Sequence, residues 1–211
     1  RYRGVMSLDL PLVRGHVDAA VALREAVAPV ALVRAGEADV ILVDGAGFVL
    51  LDEVEASPSG APVLRRLSGD EAVRAAEGGT ASFIGVAQGR SVVAIEVSRD
   101  EAWGRWEHLR AVGWQLDGDD AALALTALAL AGWHANYRFC PRCGAPVQLV
   151  SGGWAARCEA CDRLEYPRQD PAIIVLVEDH DGRVLLAHNA LWRPGVVSII
   201  AGYVEAGESP D

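Results

Sequence analysis

Along the first hundred positions, apolar residues gather in runs of strand length separated by turn-forming residues. ADVILVDG (38–45) and GFVLLDEV (47–54) are two such runs, and they meet at Asp44-Gly45-Ala46-Gly47. A second pair, ASFIGVA (81–87) and SVVAIEV (91–97), flanks Gln88-Gly89-Arg90 and reads as a hairpin. HVDAAVALREAV (16–27) predicts a short helix stopped near Pro29, and a polar helical stretch is expected from Asp70 to Glu77. Between them SPSGAP (57–62) is a loop by composition. From Asp119 the pattern changes to an Ala/Leu-rich helix, capped by Asp119 or Asp120 and running to about Tyr137. Its Leu123, Leu128, Leu130 and Trp133 are expected core contacts. Further on, strands are predicted at Ala172 to Glu178 and Val184 to His188 around an Asp181-Gly182 turn. VVSIIAGYV reads as a third strand ending at Gly202. These alternations place the chain in the α/β (α+β) class.

Composition narrows the partners. A formal net charge of −10 argues against a general polyanion binder, because a phosphate backbone rewards clustered Lys and Arg. It leaves room for a small phosphate-bearing ligand held locally. The longest apolar run, AALALTALALAGWHA (121–135), falls short of the roughly 18 to 20 residues that span a bilayer, so no membrane partner is expected. The first residue is Arg1, not Met, and no signal-peptide apolar region follows it. The last residues, AGYVEAGESPD, begin a Gly-x5-Glu spacing. Both ends suggest a piece of a longer protein. No internal repeat or low-complexity segment is present.

The four cysteines, Cys140, Cys143, Cys158 and Cys161, fall in one short window as two Cys-x2-Cys pairs. Each pair can form a knuckle that points two thiolates at one centre, and two knuckles give the tetrahedral sulfur set favoured by structural Zn2+. Gly144 supplies the tight turn after the first pair, and Arg142 and Arg157 are positioned to offset thiolate charge. The competing readings are two disulfides or four free buried thiols; nothing in the sequence suggests export, which disfavours the disulfides. Four protein ligands leave no open position, so this metal is structural. Other candidates are bland. The five histidines show no metal-ligand spacing, Ser198 has no nucleophile-elbow glycines, and Gly45-x-Gly47 lacks the rest of a dinucleotide fingerprint. His188 reads as a strand-end residue, and 179–181 as a polar turn.

FCPRCG, the second Cys-x2-Cys, EYPRQDPAIIVLV, GRVLLAH and SIIAGYVEAGES occur in one order at close intervals between Trp133 and Ser209. Together they resemble the NADH pyrophosphatase subfamily of the Nudix hydrolases. The resemblance implies an N-terminal α/β domain with a closing helix (1–135), a zinc ribbon (136–168) and the start of a Nudix hydrolase domain (169–211). It also implies metal-dependent hydrolysis of the NAD(H) pyrophosphate to nicotinamide mononucleotide and AMP, and extends to removing NAD caps from RNA.

In that family the Nudix box reads Gly-x5-Glu-x7-Arg-Glu-x-x-Glu-Glu-x-Gly, and only Gly202 and Glu208 of its fixed positions occur here. Hydrolysing a diphosphate calls for neutralised phosphate oxygens and an activated water, which Mg2+ or Mn2+ supplies when carboxylate oxygens hold it. Glu205 and Glu208 are the carboxylates of this stretch. By resemblance Glu208 orients the box, and the backbone carbonyl of Ala201 is a ligand to the catalytic cation. Tyr166 and Tyr203 match aromatic positions that stack on a base of the dinucleotide, one ring from each subunit of a homodimer. Arg110 matches a substrate-contacting arginine. A cytoplasmic enzyme is implied, with this 211-residue chain inert for lack of the later Glu residues. Strands leading to Gly202 are expected to leave an open edge with exposed Ile and Val. Two rivals are a zinc-ribbon binding or scaffold module without catalysis, and a Nudix hydrolase of other nucleoside diphosphate derivatives.

Overall fold

The computed structural model describes residues 15–52 and 61–209. Most of the SPSGAP loop and the last part of the 47–54 strand lie outside the described residues. The chain divides into two compact units at Pro167/Arg168. Each is described separately.

The first unit is built on a five-stranded sheet. Its strands are β1 (Ala38–Asp44), β2 (Phe48–Leu51), β3 (Thr80–Ala87), β4 (Arg90–Glu96) and β5 (Arg105–His108), ordered β3-β4-β1-β2-β5. β1 and β4 run parallel, with Ala38 opposite Ser91 and Val43 opposite Glu96; the other neighbours are antiparallel. The near-continuous apolar runs of β1 and β4 have a simple cause, since both faces of the sheet are covered. With a side-chain period of two, Ile41, Val43, Val92 and Ala94 point to one face, while Val40, Leu42, Val93 and Ile95 point to the other.

Helix α4 (Gly118–Asn136) covers the first face with Leu123, Ala124, Ala127, Leu130 and Ala131. Its alanines let the helix axis approach the sheet closely, and the expected core role of Leu123, Leu128 and Leu130 is met, with Leu128 only partly buried. Helices α1 (Pro29–Ala35) and α2 (Gly69–Gly78) cover the second face through Val33, Ala72, Ala75 and Ala76. A four-residue helix, α3 (Leu109–Val112), follows β5. The unit is therefore a helix–sheet–helix sandwich. No helix among the described residues is long and apolar enough to cross a membrane.

Two expectations need correction. The segment expected as a helix over 16–27 holds only a three-residue 3-10 turn at Val21–Leu23, and the α-helix begins at Pro29 instead of stopping there. Proline suits a first helical position, where its missing N–H has no intrahelical partner. The residues before the turn are claimed by the sheet: Asp18 and Val86 exchange both backbone hydrogen bonds, at 2.9 and 2.7 Å. Gly85 admits this approach at φ +139, because a Cβ there would lie 2.4 Å from the Asp18 carbonyl. The second correction concerns the cap of α4. Asp117 fills it, accepting the Asp120 amide at 2.8 Å. Asp120 is instead buried, accepting the Leu64 amide at 2.7 Å and pairing with Arg66, while Asp119 accepts the His16 amide at 2.7 Å. Burial pushes the Asp120 carboxyl above its usual range, against the pull of Arg66 and of the Leu64 amide.

After α4 come β6 (Val147–Val150), β7 (Ala155–Cys158) and β8 (Leu164–Glu165), a small antiparallel sheet in the order β6-β7-β8. The turn between β6 and β7 is pressed against β3. Trp154 Nε1 donates to the Phe83 carbonyl at 2.6 Å, and the Arg24 guanidinium lies 3.4 Å above the Trp154 ring. Gly153, at φ +94, meets Ser82 so closely that a Cβ would fall 2.5 Å from its Oγ.

The second unit pairs β9 (Ala172–Val175) with β10 (Ile200–Tyr203) antiparallel, Ala201 opposite Ile174. The predicted 184–188 strand is represented by isolated bridges, Glu178 to Val184 and Ala187 to Ser198. The Asp-Gly turn forms, with Asp179 accepting the amides of Asp181 and Arg183. The third strand extends through Tyr203, one residue past Gly202. Ile174 is 71% exposed, and Val197 and Ile200 are also open to solvent.

Candidate metal centre and the loop after β10

The two Cys-x2-Cys segments fold by the same local rule. Cys140 N donates to the carbonyl five residues on, Ala145, at 2.8 Å, and Gly144 N donates back to the Cys140 carbonyl at 2.9 Å. In the second segment Cys158 N donates to Arg163 O at 2.9 Å, and Asp162 N to Cys158 O at 3.1 Å. Each turn closes through a left-handed residue, Gly144 at φ +74 and Asp162 at φ +57. The glycine is legible in sequence. Asp162 is not, although Asp tolerates this region better than most residues.

The four Sγ atoms lie within 4.8 Å of one another. Cys140 and Cys161 are 3.7 Å apart, Cys143 and Cys161 3.7 Å, and Cys143 and Cys158 3.4 Å. A tetrahedral ion with Zn–S bonds of about 2.3 Å sets its sulfurs about 3.8 Å apart. Disulfide sulfurs sit at about 2.05 Å, far shorter than any of these separations. The cluster therefore fits Zn2+ and not two disulfides. The Cys161 and Ala160 amides lower the Cys158 pKa, while hydrogen bonding among the sulfurs raises that of Cys143, so the thiols titrate as one set and give up their protons together to a metal. Arg157 does not serve the thiolates as expected; it pairs with Asp162 at 2.9 Å.

The metal centre is joined to the sheet through the end of α4. His134 is buried there, and its Nε2 donates to the Gly153 carbonyl at 2.8 Å, which fixes the proton on that nitrogen. Burial holds the His134 pKa below its usual value of 6.5, against the opposing effect of that hydrogen bond. Sequence reasoning gave His134 no role; its signal was the position, at the seam between an apolar helix and a metal-binding segment.

Arg110 lies on α3 and lines a cleft of about 600 Å3 with Gly45, Ala46, Gly47, His108 and Leu128. His108 Nδ1 accepts the Arg110 amide at 3.1 Å. Tyr166 follows β8 with its ring largely in solvent, and it is not part of that cleft. In the second unit, Ala201, Tyr203, Glu205 and Glu208 share one strand and the loop after it. Glu208 Oε2 accepts the Glu205 amide at 2.9 Å, and Glu208 N donates to the Glu205 carbonyl at 3.0 Å. Val204 N donates to Pro171 O at 2.9 Å, which puts hydrogen-bonded pairs at 204 and 202. Ala201 consequently sits in a non-hydrogen-bonded pair, its carbonyl directed away from β9.

Residues 135–166 match the NADH pyrophosphatase zinc ribbon domain, and residues 32–133 match the NADH pyrophosphatase-like rudimentary NUDIX domain. The chain belongs to the NADH pyrophosphatase family. The rudimentary NUDIX domain of the family is thus the doubly covered sheet, and the ribbon is the four-cysteine module pressed on β3. Similar proteins include the NAD-capped RNA hydrolase NudC of Stutzerimonas stutzeri, 41% identical over 115 residues, 54% of this chain and 41% of the relative. The protein of the same name from Mycobacterium tuberculosis (strain H37Rv) is 42% identical over 101 residues, 48% of this chain and 32% of the relative. That of Pseudomonas fluorescens (strain Pf-5) is 37% identical over 132 residues, covering 61% and 47%. The chain spans 32% to 47% of the length of these curated relatives.

Two predictions follow from the ribbon. Asp162→Gly keeps the second knuckle and its zinc, because the exposed Arg157 pair is worth little. Asp162→Val costs about 1–2 kcal/mol through the left-handed backbone, read as a lower melting temperature with weaker zinc retention against a chelator. For His134 the unfolded state binds the proton more readily than the native state. Its contribution is therefore full above pH 6.5 and fades as pH falls from there toward the depressed native value. A stability–pH curve from denaturant titrations should show this slope, and His134→Gln should flatten it.

Proposed function

We propose that the complete protein hydrolyses the pyrophosphate of NAD(H), giving nicotinamide mononucleotide and AMP, and that it also removes NAD caps from RNA. The observation that carries this reading is the direct succession of the rudimentary NUDIX sheet and the family's zinc ribbon, with one residue between their matched segments. The names of the similar NudC proteins support it. The zinc shapes and does not react, since four thiolates fill its coordination.

The reaction needs hard-cation chemistry, namely neutralised phosphate oxygens and an activated water. Mg2+ takes close to six oxygens. Among the described residues of the loop after β10, the candidates are the Ala201 carbonyl and the exposed Glu205 and Glu208 carboxylates, one Glu208 oxygen already accepting the Glu205 amide. This set does not complete a Mg2+ or Mn2+ site. We therefore read Glu208 as the residue that shapes the loop, and the 211-residue chain by itself as inactive. Tyr166 and Tyr203, both exposed, are assigned to base stacking across a homodimer, and Arg110 to a substrate contact in its cleft. A cytoplasmic location accompanies this reading. Other nucleoside diphosphate derivatives remain the substrates against which NADH is to be compared. A nucleic-acid scaffold role gains nothing from the ribbon, whose Cys140 to Cys161 segment sets Arg142 and Arg157 against Glu159 and holds no run of basic residues.

The test is NADH turnover with Mg2+ or Mn2+, using the 211-residue chain and a version extended to the length of its relatives. The extended protein should turn over NADH and the short chain should fall at least a thousandfold below it. Turnover by the short chain would relocate the catalytic carboxylates. Silence from both would remove the hydrolase reading.

A further inference from the structure

The second unit holds a pocket of about 490 Å3 whose lining includes Arg168, Asp170, Pro171, Tyr203 and Glu205. Its two walls come from distant parts of the chain and are tied by the hydrogen bond from Val204 N to the Pro171 carbonyl. One wall is Pro167-Arg168-Gln169-Asp170-Pro171, in which a proline on each side restricts the backbone that presents the arginine. Arg168 Nε donates to Asp170 Oδ1 at 2.6 Å. That contact uses one edge of the guanidinium. The side chain as a whole is 83% exposed, and its terminal nitrogens make no other ion pair among the described residues.

The opposite wall offers two different surfaces. The Tyr203 residue is 73% exposed, so its ring is free to take a flat partner. The Glu205 backbone amide is already used by Glu208, while the Glu205 carboxylate makes no ion pair among the described residues. A cationic fork held by a neighbouring acid and an open ring thus border one cavity, and the Glu205 carboxylate there suits the hydroxyl donors of a ribose and not the phosphate. The fork suits a phosphate, which accepts two parallel N–H donors. The ring suits a base.

We propose that Arg168 is a phosphate-binding residue of this pocket, whose ligand is a 5′-phosphorylated nucleoside with its base on Tyr203. The proposal rests on the dinucleotide reading above and adds to it a charged contact that orients one phosphate of the substrate. Asp170 acts through Arg168 by holding the guanidinium, and is a positioning residue. Neither moves a proton.

Two measurements on the extended protein separate this proposal from the activity it rests on. In NADH kinetics Arg168→Ala should raise KM about tenfold, the loss of one charge-assisted contact, with kcat changed less than threefold. Arg168→Lys should recover part of that loss, and Asp170→Asn should give a smaller rise. Melting temperatures of the three variants should match the parent. Titration with AMP, followed by calorimetry, should show the same weakening without any turnover. An unchanged KM in Arg168→Ala beside normal parental turnover would overturn the role of Arg168 and leave the hydrolase standing. A parent that binds AMP but turns nothing over would overturn the hydrolase reading and keep the pocket. AMP binding that is absent, or indifferent to Arg168, would overturn the proposal whatever the activity.

Discussion

A ribbon of some thirty residues cannot bury enough apolar surface to hold itself, and the structure depends on how that deficit is met. Its buried members are few: Cys140, Cys158, Ala155 and Ala156, with Gly152 and Gly153 against β3. The metal centre supplies what the core lacks. Four sulfurs drawn to tetrahedral spacing fix both knuckles, and the knuckles fix the ends of β6, β7 and β8. With the hairpin set, the turn between β6 and β7 can present Trp154 to Phe83 and the Gly153 carbonyl to His134. Zinc geometry is thereby transmitted to a hydrogen-bonded seam.

Helix α4 serves both sides of that seam. Its apolar residues cover one face of the sheet, and its last turn carries His134 to the ribbon. Apolar residues run nearly all round this helix, yet only one face is buried, through Leu123, Ala124, Ala127, Leu130 and Ala131, and Leu125 is left exposed. At its start Asp117 caps the helix and Asp120 ties it to residues 64–66, accepting the Leu64 amide and pairing with Arg66. Position along α4 thus relates the sheet to the metal module.

The strands were legible because burial on both faces leaves an unambiguous apolar run, and the Asp44–Gly47 and Gln88–Arg90 turns carry their own residue chemistry. The zinc centre was legible because two Cys-x2-Cys pairs have few alternative uses. What could not be read was long-range. The 16–27 segment has helical composition, but Gly85 opens a place for Asp18 on the sheet, and pairing there outweighs local preference. Asp120 looks like a cap until Leu64 and Arg66, over fifty residues earlier, claim its carboxylate. Asp162 does the work of a glycine without being one, and Arg168 gains meaning only when Pro171 is tied to Val204.

In this chain, then, the metal that can be placed is architectural. The central structural claim is that one zinc ion holds the ribbon in the form that docks on β3 and the end of α4. Amide hydrogen exchange of the zinc-loaded chain, before and after chelation, tests it most directly. Chelation should deprotect residues 140–165 together with the β3 edge around Phe83, while β1 and β4 keep their protection. Unchanged exchange across 140–165 after the metal has been removed would contradict the account.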